Sequence, residues 1–358
     1  MLLFYAFYLL RINRLYFFVP IWTFSKQLLA KSGKGCILGA KMLSMQKKVL
    51  ITDAVDPLLI SGLEAAGYAC DYRPKASLAE VRQILAPYAG LVINSKIIAD
   101  AAFLAAGPNL EFIARLGSGL EIIDLEEAER RGILVHRAPD GNCDAVAEHI
   151  LGMLLMLAHR LRLGDQQVRS MAWDREAARG WELKGKKLGI LGFGYTGRAF
   201  WRRLAGFELE CMVYDKYQRD YPGETELEEL LAEVDILSLH LPATAETLGW
   251  MDAAFWQRLA KLRAGRPLVL LNSSRGKIIP IAALVGALES GIISAAALDV
   301  FEQEKTALYT AEERVLYGRL VEMPQVVLSP HVAGWTKESK ERLAKLLLGR
   351  ILSKAARI

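Results

Sequence analysis

From Lys47 onward, short apolar runs alternate with stretches whose apolar residues recur at helical spacing. Val49–Asp53 reads as a strand, and Leu58, Leu59, Leu63 and Ala66 line one face of a helix over Asp56–Ala66. Tyr68–Tyr72, Gly90–Asn94 and Glu111–Leu116 read as further strands, with helices at Leu78–Leu85 and Asp100–Ala106. This alternation predicts a parallel, helix-flanked sheet that ends near Ala138 and Pro139. A long apolar helix is then predicted from Asn142 to Leu161. Its apolar surface is wider than one domain needs, so it reads as the crossover between two domains and as a candidate dimer contact. Arg160–Leu183 is polar, carries Trp173 and Trp181, and leads into the next unit.

That unit opens with the apolar run at Lys186, which feeds Gly192-Phe193-Gly194-Tyr195-Thr196-Gly197. Gly192 permits a tight turn, Gly194 lets backbone approach a pyrophosphate, and Gly197 lets the helix sit close to the strand. The helix N-terminus that follows offers free N–H groups and a positive dipole end to phosphate. Asp215 ends the next apolar run, where a carboxylate can bind both ribose hydroxyls of an adenosine and repel a 2′-phosphate. A glycine turn alone is a weak signal; strand, loop, helix, second strand and acid together predict NAD binding. Strands at Val234–Leu241, Pro267–Asn272, Ile293–Val300 and Gln325–Leu328 alternate with helices at Leu227–Ala232, Ala253–Leu262 and Ile281–Ser290. They predict a doubly wound sheet inserted within the first domain, to which an amphipathic helix over Lys337–Leu352 returns.

At 358 residues the chain is long for a single core. The expected division is a substrate domain over 46–143 and 336–358, and a dinucleotide domain over 144–335. The net charge of +5 is concentrated at the start: residues 1–45 hold six basic residues and no acid. The rest is close to neutral and carries no nucleic-acid footprint. In that first stretch Arg11 and Arg14 interrupt two apolar runs, which suits neither a membrane span nor a secretory signal. Residues 1–45 therefore read as a leader upstream of an initiator at Met45 or Met42, outside the fold, and no membrane association is expected. Cys36, Cys70, Cys143 and Cys211 are scattered, which suits reduced cytoplasmic thiols and no metal site.

Ligands of doubly wound sheets bind beyond the carboxyl ends of the strands. Arg275, Glu304 and His331 all follow predicted strands there. Each alone is weakly specific, since such an Arg is usually a surface charge and such a His a structural one. Together they suit hydride transfer to a 2-oxo acid. An Arg holds the carboxylate and polarises the carbonyl, a His moves the proton, and a carboxylate fixes the His. His136, His149 and His159 precede the glycine loop, and His240 ends a cofactor strand, where it would line the NAD groove.

From Met45 onward the chain resembles the D-isomer-specific 2-hydroxyacid dehydrogenases, above all their phosphoglycerate-oxidising members. The likeness rests on Gly-Ser-Gly at 117–119, Gly-Asn-x-x-Ala-Val-Ala-Glu-His at 141–149, the glycine loop with Asp215, and His240-Leu241-Pro242. It extends to Asn-Ser-Ser-Arg-Gly at 272–276, Leu-Asp-Val-Phe-Glu-x-Glu at 298–304 and Pro-His-Val-Ala-Gly-Trp at 330–335. The resemblance implies an α/β protein of two Rossmann-like domains, a doubly wound NAD domain inserted in a smaller flavodoxin-like substrate domain.

It implies a catalytic set of Arg275, Glu304 and His331, with Glu304 rather than Glu302 beside the histidine. It implies NAD contacts at Ser118, Gly192, Gly194, Tyr195, Thr196, Gly197, Asp215, Leu241, Pro242, Ser273, Asp299 and His331–Gly334, with Asp299 near the nicotinamide amide. Substrate contacts are expected at Asn94, Ser95, Lys96, Gly117, Ser118, Gly119 and Arg275. The implied reaction is NAD-dependent oxidation of a D-2-hydroxy acid by a cytoplasmic homodimer. 3-Phosphoglycerate, at the start of serine synthesis, is the leading substrate, and reduction of hydroxypyruvate or glyoxylate is the alternative. A reading of another class is an NAD-sensing interaction protein akin to the family's corepressors. The chain departs from the family at Asn94, where phosphoglycerate enzymes often carry Arg, at Glu121-Ile122 in place of Asp-Asn, and at Lys305 in place of Pro. Only Lys96 is then left to meet a phosphate. The chain stops at Ile358, so no regulatory domain with serine feedback is expected.

Overall fold

The computed structural model describes residues 46–353. The expected leader at 1–45 lies outside the described residues.

The first lobe runs β1 (Lys48–Ile51), α1 (Pro57–Ala65), β2 (Ala69–Tyr72), α2 (Leu78–Ile84), β3 (Tyr88–Ile93), α3 (Ala101–Ala105), β4 (Phe112–Arg115), α4 (Leu125–Arg130) and β5 (Leu134–Arg137). Two helices follow, α5 (Cys143–Ala158) and α6 (Leu161–Arg169). The second lobe runs β6 (Lys187–Leu191), α7 (Tyr195–Arg203), β7 (Glu210–Tyr214), α8 (Leu227–Glu233), β8 (Ile236–Leu239), α9 (Ala253–Leu262) and β9 (Leu268–Asn272). It continues with α10 (Ile281–Glu289), β10 (Ile293–Leu298), α11 (Ala311–Glu322) and β11 (Val326–Leu328), before α12 (Lys337–Leu352) closes the described chain.

Both sheets are wholly parallel, with strand orders β2-β1-β3-β4-β5 and β11-β10-β9-β8-β6-β7. In each, the chain winds one way from the first strand and then reverses, the flavodoxin-like pattern. The reversal leaves a crevice between the carboxyl ends of β1 and β3 in one sheet, and of β6 and β8 in the other. Parallel strands are covered on both faces and so read as continuous apolar runs. Tyr88–Ile93 is buried throughout, as is Ile236–Leu239.

The faces sort by helix. Leu59 and Leu63 of α1 share a core with Ala344, Leu347 and Ile351 of α12, while Val81, Phe103 and Ala128 of α2, α3 and α4 line the opposite face. Around the second sheet, α5 and α7 cover one face and α8, α9 and α10 the other. The C-terminal helix thus returns to pack on the first lobe.

Several elements differ from the sequence reading. α4 and β5 lie in a short stretch after the glycine turn where the apolar pattern predicts no separate elements. The helix expected to run to Leu161 stops at Ala158, because Arg160 takes a left-handed conformation (φ 48°) before α6 begins. α6 itself, within the stretch read as polar, has no buried residue. α11 was not expected either; it carries a Thr310–Glu313 capping box and is anchored by buried Tyr317 and Leu320. Among the described residues no helix is long and apolar enough to cross a membrane. None of them forms a His, Cys, Asp and Glu cluster able to hold a metal.

Leu347 is fully buried between α12 and the first sheet, whereas Leu352 is 47 % exposed. Leu347→Ala should cost about 2–5 kcal/mol of unfolding free energy. Leu352→Ala should stay within about 0.5 kcal/mol. Urea unfolding measures both, and equal losses would contradict the packing of α12 on this lobe.

Candidate active site

The dinucleotide loop sits at the reversal point of the second sheet. Gly192 follows β6 with φ 92°, and a Cβ there would lie 2.6 Å from the carbonyl oxygen of His240 at the end of β8. A Cβ on Gly197 would lie 2.1 Å from the oxygen of Gly192, so α7 packs directly on the turn. Most helices that start near the sheets are capped by a side chain: Asp56, Ser77, Asp100, Asp124, Asp252 and Thr336 all accept from the first turn. α7 starts at Gly194 without one, and the space beside the Gly194 α-carbon is open. Its first N–H groups are thus left for an external acceptor. The Ser273 hydroxyl, at the end of β9 on the far side of β8, is buried and has no partner. These features fit a dinucleotide pyrophosphate and its attached ribose.

Asp215 ends β7 and is 9 % exposed. Its Oδ2 accepts from Phe193 N–H at 2.7 Å and from Gln218 Nε2 at 3.2 Å; its Oδ1 accepts from the N–H groups of Tyr217 and Gln218. Burial would raise its pKa, but these N–H groups outweigh burial and hold it below the usual carboxylate range. That stabilisation is present above the ordinary carboxylate range and is lost as acid protonates the group. The carboxylate therefore braces the glycine loop. Gln218 lies across it, also donating to Phe193 O, and no sequence signal marked that residue.

His240 departs from expectation. Its ring turns inward, hydrogen-bonds Ser238 through Nε2 at 2.9 Å and packs against Phe200 of α7 at 5.4 Å between centroids. Burial drives its pKa down to about 3, so it stays neutral. Its backbone, beside Gly192, borders the groove instead. Leu241 approaches the same glycine, and Pro242 lies outside it, exposed, its carbonyl accepting from Thr247.

Three strand-end segments bring the charged residues together. Asn272 is buried at the end of β9; its Oδ1 accepts from the N–H and hydroxyl of Ser274, and its Nδ2 donates to Arg275 O. That turn projects Arg275 across to the first lobe, where Nε donates to Glu121 Oε1 at 2.6 Å. Beyond β10, Glu302 caps α10 by accepting from Ile281 N–H at 2.7 Å, which leaves Glu304 for His331. The His331 Nδ1 lies 2.9 Å from Glu304 Oε2. Burial would raise Glu304, but the contact with His331, helped by Arg275, holds it below the usual range. Arg275, Glu304 and His331 thus share one cluster, with Nε2 left as the other proton site of the histidine.

His331 sits in a left-handed conformation (φ 53°), unusual for a residue with a Cβ. Asp299 holds it there. This carboxylate is fully buried and accepts from Ser329 Oγ at 2.6 Å, Val332 N–H at 2.9 Å and Ala333 N–H at 2.9 Å. The Asp299 carbonyl accepts from His331 N–H. From α5, His149 Nε2 meets Ser329 Oγ at 2.9 Å. Asp299, expected beside the nicotinamide amide, also holds the histidine loop. Gly334 ends that loop against the Asn142 side chain.

On the first lobe, Gly117 (φ 149°) follows β4 and its N–H turns back to Arg115 O, while the N–H groups of Ser118 and Gly119 carry no hydrogen bond. Arg115 folds over this loop: a Cβ on Gly117 would lie 2.3 Å from its Nη1. A Cβ on Gly119 would lie 2.1 Å from both Arg275 Nη2 and Glu121 Oε2. Asn94 N–H donates to Asp53 Oδ2 at 3.0 Å at the β1–β3 crevice; Ser95 is exposed, and Lys96 reaches away to Pro74 O at 2.7 Å. Among the described residues, three guanidinium groups therefore flank the glycine loop: Arg275 over Gly119, Arg137, whose Nη1 donates to Ser118 O at 3.2 Å, and Arg115, two residues before Gly117, to which the sequence pattern assigns no role. Burial first, then Arg275, pulls its pKa down to about 10, against the pull of Glu121 and Asp53. Glu121, marked only as a departure, is drawn below the usual range by Arg275 against the effect of burial.

The described pattern "D-isomer specific 2-hydroxyacid dehydrogenase, NAD binding domain" matches residues 151–333. D-3-phosphoglycerate dehydrogenase of Archaeoglobus fulgidus is 29 % identical over 86 % of this chain and 57 % of its own length. The chain spans about half the length of the curated D-3-phosphoglycerate dehydrogenases of this kind that it matches. Hydroxypyruvate reductase of Thermotoga maritima is 34 % identical over 76 % of this chain and 86 % of its own. Among solved structures, an NADPH-dependent glyoxylate/hydroxypyruvate reductase from Sinorhizobium meliloti, with NADP and malonate, superposes with a TM-score of 0.72 at 29 % identity, covering 86 % of this chain and 93 % of that one. NAD is the cofactor that the matched domain and the uncapped glycine loop accommodate. With fold, loop and sequence pattern in agreement, the chain belongs to the D-isomer-specific 2-hydroxyacid dehydrogenase family.

Proposed function

We propose that this protein is an NAD-dependent D-2-hydroxyacid dehydrogenase that works on a short, singly charged 2-oxo acid of the hydroxypyruvate or glyoxylate kind. The observation that carries the reaction is the His331–Glu304 contact with Arg275 in the same cluster. NAD, when bound, supplies or accepts the hydride. The Arg275 fork binds the substrate carboxylate and polarises the 2-oxo group. His331 gives a proton to the developing alkoxide, or takes it back in oxidation, and Glu304 holds Nδ1 so that Nε2 faces the substrate. The free N–H groups of Ser118 and Gly119 are suited to the same carboxylate.

The choice of substrate rests on charge. Arg115 and Arg275 face two acids, Asp53 and Glu121, while Arg137 is engaged by Ser118 O and Lys96 is turned to Pro74. That balance suits one carboxylate better than a carboxylate and a phosphate together. One observation favours 3-phosphohydroxypyruvate as a second reading: Arg115 Nε is buried without a partner. Asp215 favours NAD over NADP, since its carboxylate opposes a 2′-phosphate.

A homodimer is also part of the proposal. Leu161, Val168, Met171 and Trp173 are 54–92 % exposed on α6 and the turn after it. Such a patch calls for cover, and a second copy of this chain supplies it.

With NADH and a panel of 2-oxo acids, turnover of hydroxypyruvate should exceed that of its 3-phosphate, and His331→Ala should lower kcat about 10²–10⁴-fold. Preference for the phosphate would install the second reading, and no turnover of any 2-oxo acid would remove the enzyme reading. Asp215→Ala should raise the ratio of NADP to NAD efficiency and cost about 1–3 kcal/mol in stability, because buried N–H groups lose their acceptor. An unchanged cofactor ratio would argue against that role. Met171→Asp with Trp173→Asp should convert a dimer to a monomer in light scattering; a dimer that survives both changes would place the interface elsewhere.

A further inference from the structure

The Arg275–Glu121 pair joins residues 154 positions apart and bridges the two lobes over the loop expected to receive substrate. Arg275 Nη2 and Glu121 Oε2 lie over Gly119, and Arg115 Nη1 lies over Gly117, two residues earlier on the same loop. Three charged groups are thus packed where a 2-oxo acid must place its carboxylate. Glu121 takes Nε and Ser274 O takes one N–H of Nη1, so the Nε/Nη2 side of the fork is open to an incoming carboxylate only once Glu121 leaves. Arg115, with Nε buried and unpartnered, is the neighbouring cation that can receive a released carboxylate.

We infer that Glu121 is an internal stand-in for the substrate carboxylate, which leaves Arg275 for Arg115 when substrate arrives and so biases the site towards singly charged 2-oxo acids. The exchange conserves pairing. Before binding, Arg275 is paired with Glu121; afterwards, Arg275 is paired with substrate and Arg115 with Glu121. A second anionic group on the substrate would compete with Glu121 for Arg115 and leave one carboxylate uncompensated near the loop. Arg275 and Glu121 keep 26 % and 36 % of their side-chain surface exposed, so an unmatched carboxylate there costs a modest amount, enough to disfavour that arrangement. Glu121 is a positioning and specificity residue here, not a catalytic one.

The inference rests on Arg275 being the carboxylate's seat, which the proposed reaction also requires. The test uses oxamate, a non-reacting carboxylate analogue of 2-oxo acids, titrated into the NADH complex by calorimetry. Glu121→Gln keeps the shape and removes the charge. It should tighten oxamate by at least about threefold. It should also raise the efficiency for 3-phosphohydroxypyruvate relative to hydroxypyruvate. Arg115→Met should weaken oxamate while Glu121 is present and lose that effect in the Glu121→Gln background. A Glu121 that merely props Arg275 predicts the reverse, weaker oxamate in Glu121→Gln, and that result or an unchanged affinity would overturn the exchange. Unchanged NADH affinity in each variant verifies that the fold is intact. Arg275→Ala separates the two levels: if it binds oxamate as tightly as the parent protein, the reading of the site fails, not the exchange alone.

Discussion

A fully buried carboxylate must be paired with donors, and Asp299 meets that demand with the loop that carries His331. The position of His331 depends on this. Asp299 ends a strand whose direction is set by the second sheet, so it transmits the sheet's rigidity to a segment without regular structure. The left-handed turn at His331 is held by backbone and side chain of the same aspartate, which brings Nδ1 within reach of Glu304. His149 links the arrangement to α5, the helix that covers the sheet. The histidine is placed by a buried network, while its own ring remains accessible.

The facing side of the cleft is built on a different balance. Arg115, Arg275, Glu121 and Asp53 are close enough to influence one another, and their charges nearly cancel. Such a set is tolerable without a ligand because each charge has a neighbour of opposite sign. It is also responsive, because one incoming carboxylate changes which pairs are best. The proposed reaction needs a strong anion seat, and in this structure Glu121 is paired with Arg275 there.

The two sheets share a winding pattern, and in both the chemistry gathers at the reversal point. In the second sheet this crevice holds Gly192, the backbone of His240 and the uncapped start of α7. In the first it holds Asp53 and Asn94, near the glycine turn that follows β4. Strand ends are where side chains can leave the core without unpairing the ladder, which is why Asp215, Arg275 and Asp299 all occur there.

Much of this was legible in the chain itself. Alternating apolar runs and helix-spaced segments determine a parallel α/β architecture, because each pattern can bury its apolar face in only one kind of element. The span of α12 was likewise readable from spacing, and Glu304 as the histidine's neighbour was implied by the family resemblance. Local patterns could not reveal that α6 would be left uncovered, or that α11 would form in a stretch without a clear apolar stripe. Nor could they show the inward ring of His240, the commitment of Asp299 to the histidine loop, or Gln218 across Asp215. Each of these depends on which side chains meet across elements far apart in the chain. The Arg275–Glu121 contact is the clearest case: two charges that the sequence marks for separate reasons, on separate lobes, become a pair only because the fold brings their strand ends together.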